Sequence, residues 1–216
     1  MSVINTCDKY NTEELILEKP IKIDDIYISN MSFTLQTPKI TIDKISKKIT
    51  FLLTEELEKL FNDFDNKIIN LLSENSKEFF EDQLTLEDAE EIYRGSIKQS
   101  RKDCKITVSI NRKLSIFNKH KEQLELNNLN GGDIVICLLK CKKIVFYKNY
   151  CEPLWEVFQM KYKEINKTNK IDTKVYMIVE DPNDNYDSND SNDSNDSTDT
   201  DISQIKKIKI KEHKEP

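Results

Sequence analysis

The spacing of the apolar residues changes twice along this chain, and that change limits the fold more than any motif does. From Ile21 to Leu53 apolar and polar residues alternate, as in Ile21-Lys-Ile23, Ile26-Tyr-Ile28, Phe33-Thr-Leu35, Ile40-Thr-Ile42 and Ile49-Thr-Phe51. A period of two buries one side of a strand and wets the other. Asp24-Asp25, Ser29-Asn30, Pro38 and Asp43 punctuate the run, which predicts two to four half-buried strands. At Thr54 the period lengthens. Thr54 is a candidate N-cap, Glu55 and Glu56 fall in the first turn, and apolar residues at 57, 60, 61, 64, 68, 71 and 72 make one helical stripe. Ser76 and Thr85 each start a further helical piece, Thr85 with Asp88 placed as in a capping box. From Cys104 the alternation returns. Cys104–Ile110 reads as a strand, and Leu114–Phe117 as its partner across a turn near Asn111-Arg112. The turn cluster NNLNGGD at 127–133 launches Ile134–Cys141, followed by Ile144–Lys148, Leu154–Lys163 and Lys174–Val179. The prediction is an α+β, mostly β chain: an antiparallel sheet or small barrel with a helical insertion over about 54–98 packed on one side.

Around that core the composition is uneven. Residues 1–20 read as a flexible arm ending at Pro20, and 21–179 as one globular domain. Residues 180–201 repeat Asp, Asn and Ser, with nine acidic and no basic side chains. Such a segment buries too little surface to offset its ordering entropy and is expected to be disordered. Residues 202–216 form a basic Ile/Lys-rich end with five Lys against two Glu. Subtracting both segments from the totals of 33 basic and 39 acidic residues leaves 28 of each in 1–179. The net charge of −6 therefore belongs to the tail, and an acidic chain of this kind is not excluded from nucleic acid. One Ala and three Arg beside 27 Ile and 30 Lys point to an AT-rich genome, so Lys-for-Arg choices say little about function.

Several classes are disfavoured. No apolar run approaches the roughly 18 residues that span a bilayer, so no membrane partner is expected. The first residues lack the basic-then-apolar order of a secretion signal, which predicts an intracellular, reducing compartment and five free thiols. Two histidines, one of them in the tail, leave little for His-based catalysis, and Gly131-Gly132 is followed by Asp133 rather than by a Walker lysine. Cys137, Cys141 and Cys151 lack close zinc spacing and read as buried strand cysteines. The expectation is no enzyme, no cofactor and no metal.

Charge and aromatic residues meet on the β segments. Residues 94–121 hold nine basic and one acidic residue, and 140–174 nine and four, against three basic and 13 acidic in 55–91. Basic strands on one face make the electrostatic footprint of a phosphate-binding groove. On Leu154–Lys163, alternation puts Leu154, Phe158, Met160 and Tyr162 on a core face, with Glu156 as its odd member, and Trp155, Val157, Gln159, Lys161 and Lys163 on the other. The candidate interface is therefore Lys140, Lys142, Lys143, Lys148, Lys161 and Lys163 for phosphates, with Tyr147, Tyr150 and Trp155 for stacking and Gln159 beside them. Arg101, Lys102, Lys105 and Arg112 would add contacts from the preceding basic segment.

The run from Gly132 through Phe146-Tyr147 to Trp155, Gln159 and Lys161 resembles a pattern in OB-fold-type single-stranded-DNA-binding proteins of large nucleocytoplasmic DNA viruses. It covers about 30 residues. The resemblance implies a small OB-like barrel, non-sequence-specific binding of single-stranded DNA or RNA, and an acidic tail that competes for the groove and recruits replication or virion proteins. It also implies a place in the host cytoplasm or the virion. Here the acidic run is not terminal, since the basic end follows it. The other function class the residues allow is a viral structural or scaffold protein that binds no nucleic acid.

Overall fold

The computed structural model describes residues 4–100 and 103–163. The expected strand Lys174–Val179, the acidic tail 180–201 and the basic end 202–216 lie outside the described residues. Ten strands alternate with three helices: β1 Ile4–Asn5, β2 Ile21–Ile23, β3 Ile26–Gln36, β4 Ile40–Ile45, β5 Lys48–Leu52, α1 Glu55–Glu74, α2 Ser76–Phe79, α3 Leu86–Ile92, β6 Ile97–Gln99, β7 Cys104–Phe117, β8 Gln123–Leu124, β9 Ile134–Phe146 and β10 Cys151–Lys163. Five of the strands close a circuit in the order β4-β5-β7-β10-β9 and back to β4. All neighbours in it are antiparallel except β7 and β10. This is the small OB-like barrel the sequence predicts, and closure leaves it without an open sheet edge.

Closure depends on the turn cluster. Gly132 takes a φ of +88°, which a side chain would strain, and its N–H donates to Ile42 O at 2.7 Å. A Cβ on Gly131 would sit 2.9 Å from Asp43 O. Two small residues thus let the start of β9 approach β4, where Ile40 pairs with Val135 and Thr41 with Ile134. β3 continues β4 backwards across Thr37-Pro38 and pairs with the rest of β9. Thr37 bridges the break: its Oγ1 accepts from Cys137 N–H at 2.9 Å and its own N–H donates to Cys137 O at 2.9 Å.

The helical insertion follows its caps. Thr54 accepts from Leu57 N–H, and Thr85 with Asp88 forms the reciprocal capping box. The α1 stripe of Leu57, Leu60, Phe61, Phe64, Ile68 and Leu72 is buried against the barrel, with Glu55, Glu56 and Glu58 in the first turn.

Three expectations change. The segments Ile134–Cys141 and Ile144–Lys148 are not two strands but one, β9 Ile134–Phe146. The turn near Asn111-Arg112 is not a reversal, because β7 runs through it as one strand of 14 residues. Asn111 Oδ1 accepts from Lys113 N–H at 2.9 Å, which bends the strand locally instead of folding it back. The N-terminal arm is also anchored at several points, although Ile4 and Ile16 stay exposed. Leu15 and Leu17 are buried in the core, Asn5 donates to Thr34 O, and Tyr10 donates to Asp63 on α1. Apolar residues two apart and polar ties to two elements hold it down.

Phe61 lies fully buried between α1 and the barrel. Phe61→Ala should lower unfolding stability by about 3–5 kcal/mol, read from the urea midpoint at unchanged slope.

Candidate nucleic-acid interface

The sequence-predicted residues divide according to the pleat of β10, and the pleat is broken. Both neighbours of β10 shift register between Val157 and Gln159. Against β9, Val157 faces Leu139 and Gln159 faces Leu138, so Phe158 is an extra residue, a bulge. Before it, Cys151, Trp155 and Val157 point inward; after it, Met160 does. The placement of Trp155 and Val157 outward, and of Leu154, Glu156 and Phe158 on the core face, is therefore reversed. The outward placement of Gln159, Lys161 and Lys163 holds, and all three are exposed.

Trp155 is 3% exposed and is not a stacking surface. Its indole lies 5.1 Å from Phe61, 5.0 Å from Phe64 and 6.1 Å from Phe33. Its Nε1–H donates to Ser96 Oγ at 2.9 Å. Ser96 Oγ and N–H donate in turn to Asp65 at 2.6 and 2.7 Å, and Tyr93 OH donates to the same carboxylate at 2.7 Å. Burial pushes the Asp65 carboxyl above its ordinary range, and these three bonds oppose that push.

On the outer wall one register row crosses six strands. Ile4 pairs with Thr34, Thr34 with Lys140, Lys140 with Glu156, Glu156 with Ser109, and Ser109 with Lys48. Beside this row lies a groove of about 470 Å³. Phe158 and Leu138 supply apolar floor, with Ile4 and Thr34 at one end. Lys113, Lys140 and Lys142 bring ammonium groups to it, and Asn111 and Glu156 bring an amide and a carboxylate. Glu156 Oε2 accepts from Asn111 Nδ2 at 2.9 Å and pairs with Lys142 Nζ at 3.2 Å.

Breaks in register build this groove. Phe158 comes from the β10 bulge, and Asn111 and Lys113 from the stretch of β7 facing it, where pairing jumps from Ile110 to Ser115. Lys142 sits where β9 skips against both β10 and β3. Phe158, Lys113, Asn111 and Glu156 are absent from the sequence-predicted interface: no pattern marks the bulge at Phe158, and the Asn111-Arg112 signal reads as a reversal rather than as a bend.

The remaining candidates scatter. Lys140 and Lys142 line the groove, Gln159 pairs with Leu138 at its border, and Lys161 follows on the same side of β10. Lys143 is close enough to help depress the Glu156 carboxyl. Lys163 stands beside Lys39, whose hydrogen bond and charge lower the Lys163 ammonium. Tyr147 and Tyr150 stack on each other at 4.6 Å at the β9–β10 turn, near exposed Lys148, and the Arg94 guanidinium lies 3.5 Å over the Tyr150 ring. These two rings are already engaged. Lys105 is drawn away into an ion pair with Asp43 at 3.1 Å. Arg112 is exposed at the β7 bend. Arg101 and Lys102 lie outside the described residues. Cys137, Cys141 and Cys151 are buried, and desolvation pushes their thiols up. Among the described residues, no three His, Cys, Asp or Glu side chains gather as metal ligands.

The model of a family of unknown function, DUF5871, matches residues 38–180. No curated protein matches the chain. Among solved structures, a C-terminal truncation of the single-stranded DNA-binding protein from bacteriophage Enc34 aligns at 13% identity and a TM-score of 0.42, covering 73% of this chain and 99% of that one. The same phage protein in complex with ssDNA aligns at 13% and 0.42, covering 72% and 98%. At these values the likeness is too distant to carry a function across.

Two outcomes follow from the Trp155 environment. The single tryptophan should emit at short wavelength and resist iodide quenching until the protein unfolds, whereas a surface indole would be quenched in the native state. Asp65 holds its proton more tightly folded than unfolded. It therefore adds stability at low pH and loses that contribution as pH rises through its elevated folded value. The unfolding midpoint of Asp65→Asn, compared with the parent across this range, should gain ground on the parent as pH rises.

Proposed function

The chain belongs to the DUF5871 family, whose function is unknown, and we propose that it binds single-stranded nucleic acid, DNA in the first instance, without reading a defined sequence. The observation that carries this reading is the groove lined by half-buried Phe158 and Leu138 together with Lys113, Lys140 and Lys142. A single strand presents exactly the two features such a surface meets. Its unstacked bases lose apolar area by lying on Phe158, typically worth about 1–3 kcal/mol per base. Its phosphates release counterions to the ammonium groups. A duplex hides its base faces and gains nothing from the phenyl ring. OB-type barrels commonly use their outer strands for oligonucleotides, and Lys161 extends the cationic track along β10.

The test is fluorescence anisotropy with a labelled mixed-sequence oligonucleotide on the full chain. With four phosphates neutralised, affinity should fall about fifty-fold between about 50 and about 200 mM salt. Phe158→Ala should weaken binding about tenfold, and Lys140→Glu with Lys142→Glu should abolish it at the higher salt. No binding at low salt, or variants that bind as tightly as the parent, would sink the reading.

A further inference from the structure

Glu156 is the only acidic side chain among the described residues lining the groove. A carboxylate there repels phosphate, so its presence on a wall meant for a polyanion calls for a reason. Part of that reason is structural: Oε2 accepts from Asn111 and pairs with Lys142, which fixes both of those side chains. Both bonds, however, go to the same oxygen. Oε1 receives neither, and Glu156 itself lines the groove beside the Phe158 bulge. Desolvation raises the carboxyl, but the bonds from Asn111 and Lys142 and the charges of Lys142 and Lys143 outweigh it, so the net shift is downward. The group is thus an ionised acceptor with no proton to give.

Such an oxygen sorts bases by what their edges carry. Cytosine presents an exocyclic N4 amine and adenine an N6 amine, both donors. Thymine presents the O4 acceptor at the corresponding position, which a carboxylate repels. A phosphate is repelled likewise, so the strand is oriented with a base edge at Glu156 and its backbone toward the lysines. On the single-strand-binding reading above, we infer that Glu156 Oε1 gives the groove a preference for amine-bearing bases, cytosine over thymine among the pyrimidines.

The closing experiment compares 12-mers of 5-methyldeoxycytidine and of thymidine, which share the methyl group, the charge and the ring size. They differ in the amine-for-oxygen exchange at position 4 and the ring proton that goes with it. The parent should bind the methylcytidine oligomer about fivefold more tightly, the low end for a single specific base contact. Glu156→Gln should bind the two alike and hold the thymidine oligomer more tightly than the parent does. Glu156→Asp, which keeps the charge but draws it back toward the strand, should lose the preference too. Equal binding of the two oligomers by the parent, or a preference that survives in Glu156→Gln, would overturn this inference and leave single-strand binding standing. Failure of the parent to bind either oligomer at low salt would overturn both.

Discussion

The indole of Trp155 decides how the helices meet the barrel and which way the last strand faces. Three phenylalanines from two elements close around it: Phe33 from β3, Phe61 and Phe64 from α1. Edge-to-face contacts of this kind add about 0.5–1.5 kcal/mol per pair beyond area burial. The indole N–H is satisfied through Ser96, and Ser96 satisfies Asp65. A buried carboxylate, a hydroxyl and an indole thereby tie α1, the segment before β6 and β10 together. With Trp155 directed inward, its neighbour Glu156 is directed outward, and the outer wall inherits its pattern from that choice.

The elements were legible in the sequence because each signal is local. Thr54 and Thr85 cap where their side chains allow it. The α1 stripe is periodic over five turns, and the β segments alternate. The barrel order follows from these segments only when their register is known, and register is where local reading fails. A bulge at Phe158 and a bend at Asn111–Lys113 each move side chains to the other face without any Pro or Gly to announce them. Lys140, Lys142, Gln159 and Lys161 lie on the outer wall, where lysine and glutamine keep their polar ends in water. Trp155 was misplaced because a large aromatic fits either side of a strand, and only the shape of α1 across the barrel settles which.

Charge is sorted by the same geometry. Lys105 is held by Asp43 and Lys67 by Glu13 away from the groove, whereas Lys142 is held by Glu156 within it. The cations that remain together come from β7, β9 and β10, the strands where register breaks widen the wall. The groove is thus a product of irregularity: with Trp155 and Val157 inward, regular pleating would have turned Gln159 and Lys161 into the core and Met160 out, whereas the bulge sets Phe158 and Gln159 side by side on the outer wall.

The order in which the barrel closes has a consequence for synthesis. β10 is the last described strand, yet it neighbours both β7 and β9 and carries the indole that covers Phe33, Phe61 and Phe64. Until Trp155 leaves the ribosome, the apolar stripe of α1 has no complete surface to pack on, and β7 and β9 have no strand between them to complete the barrel. Long-range pairings of this kind fold slowly and leave apolar surface exposed meanwhile. The nascent chain is therefore open to misassociation over most of its length, and a stop codon shortly before residue 155 is expected to yield an aggregating product rather than a smaller domain.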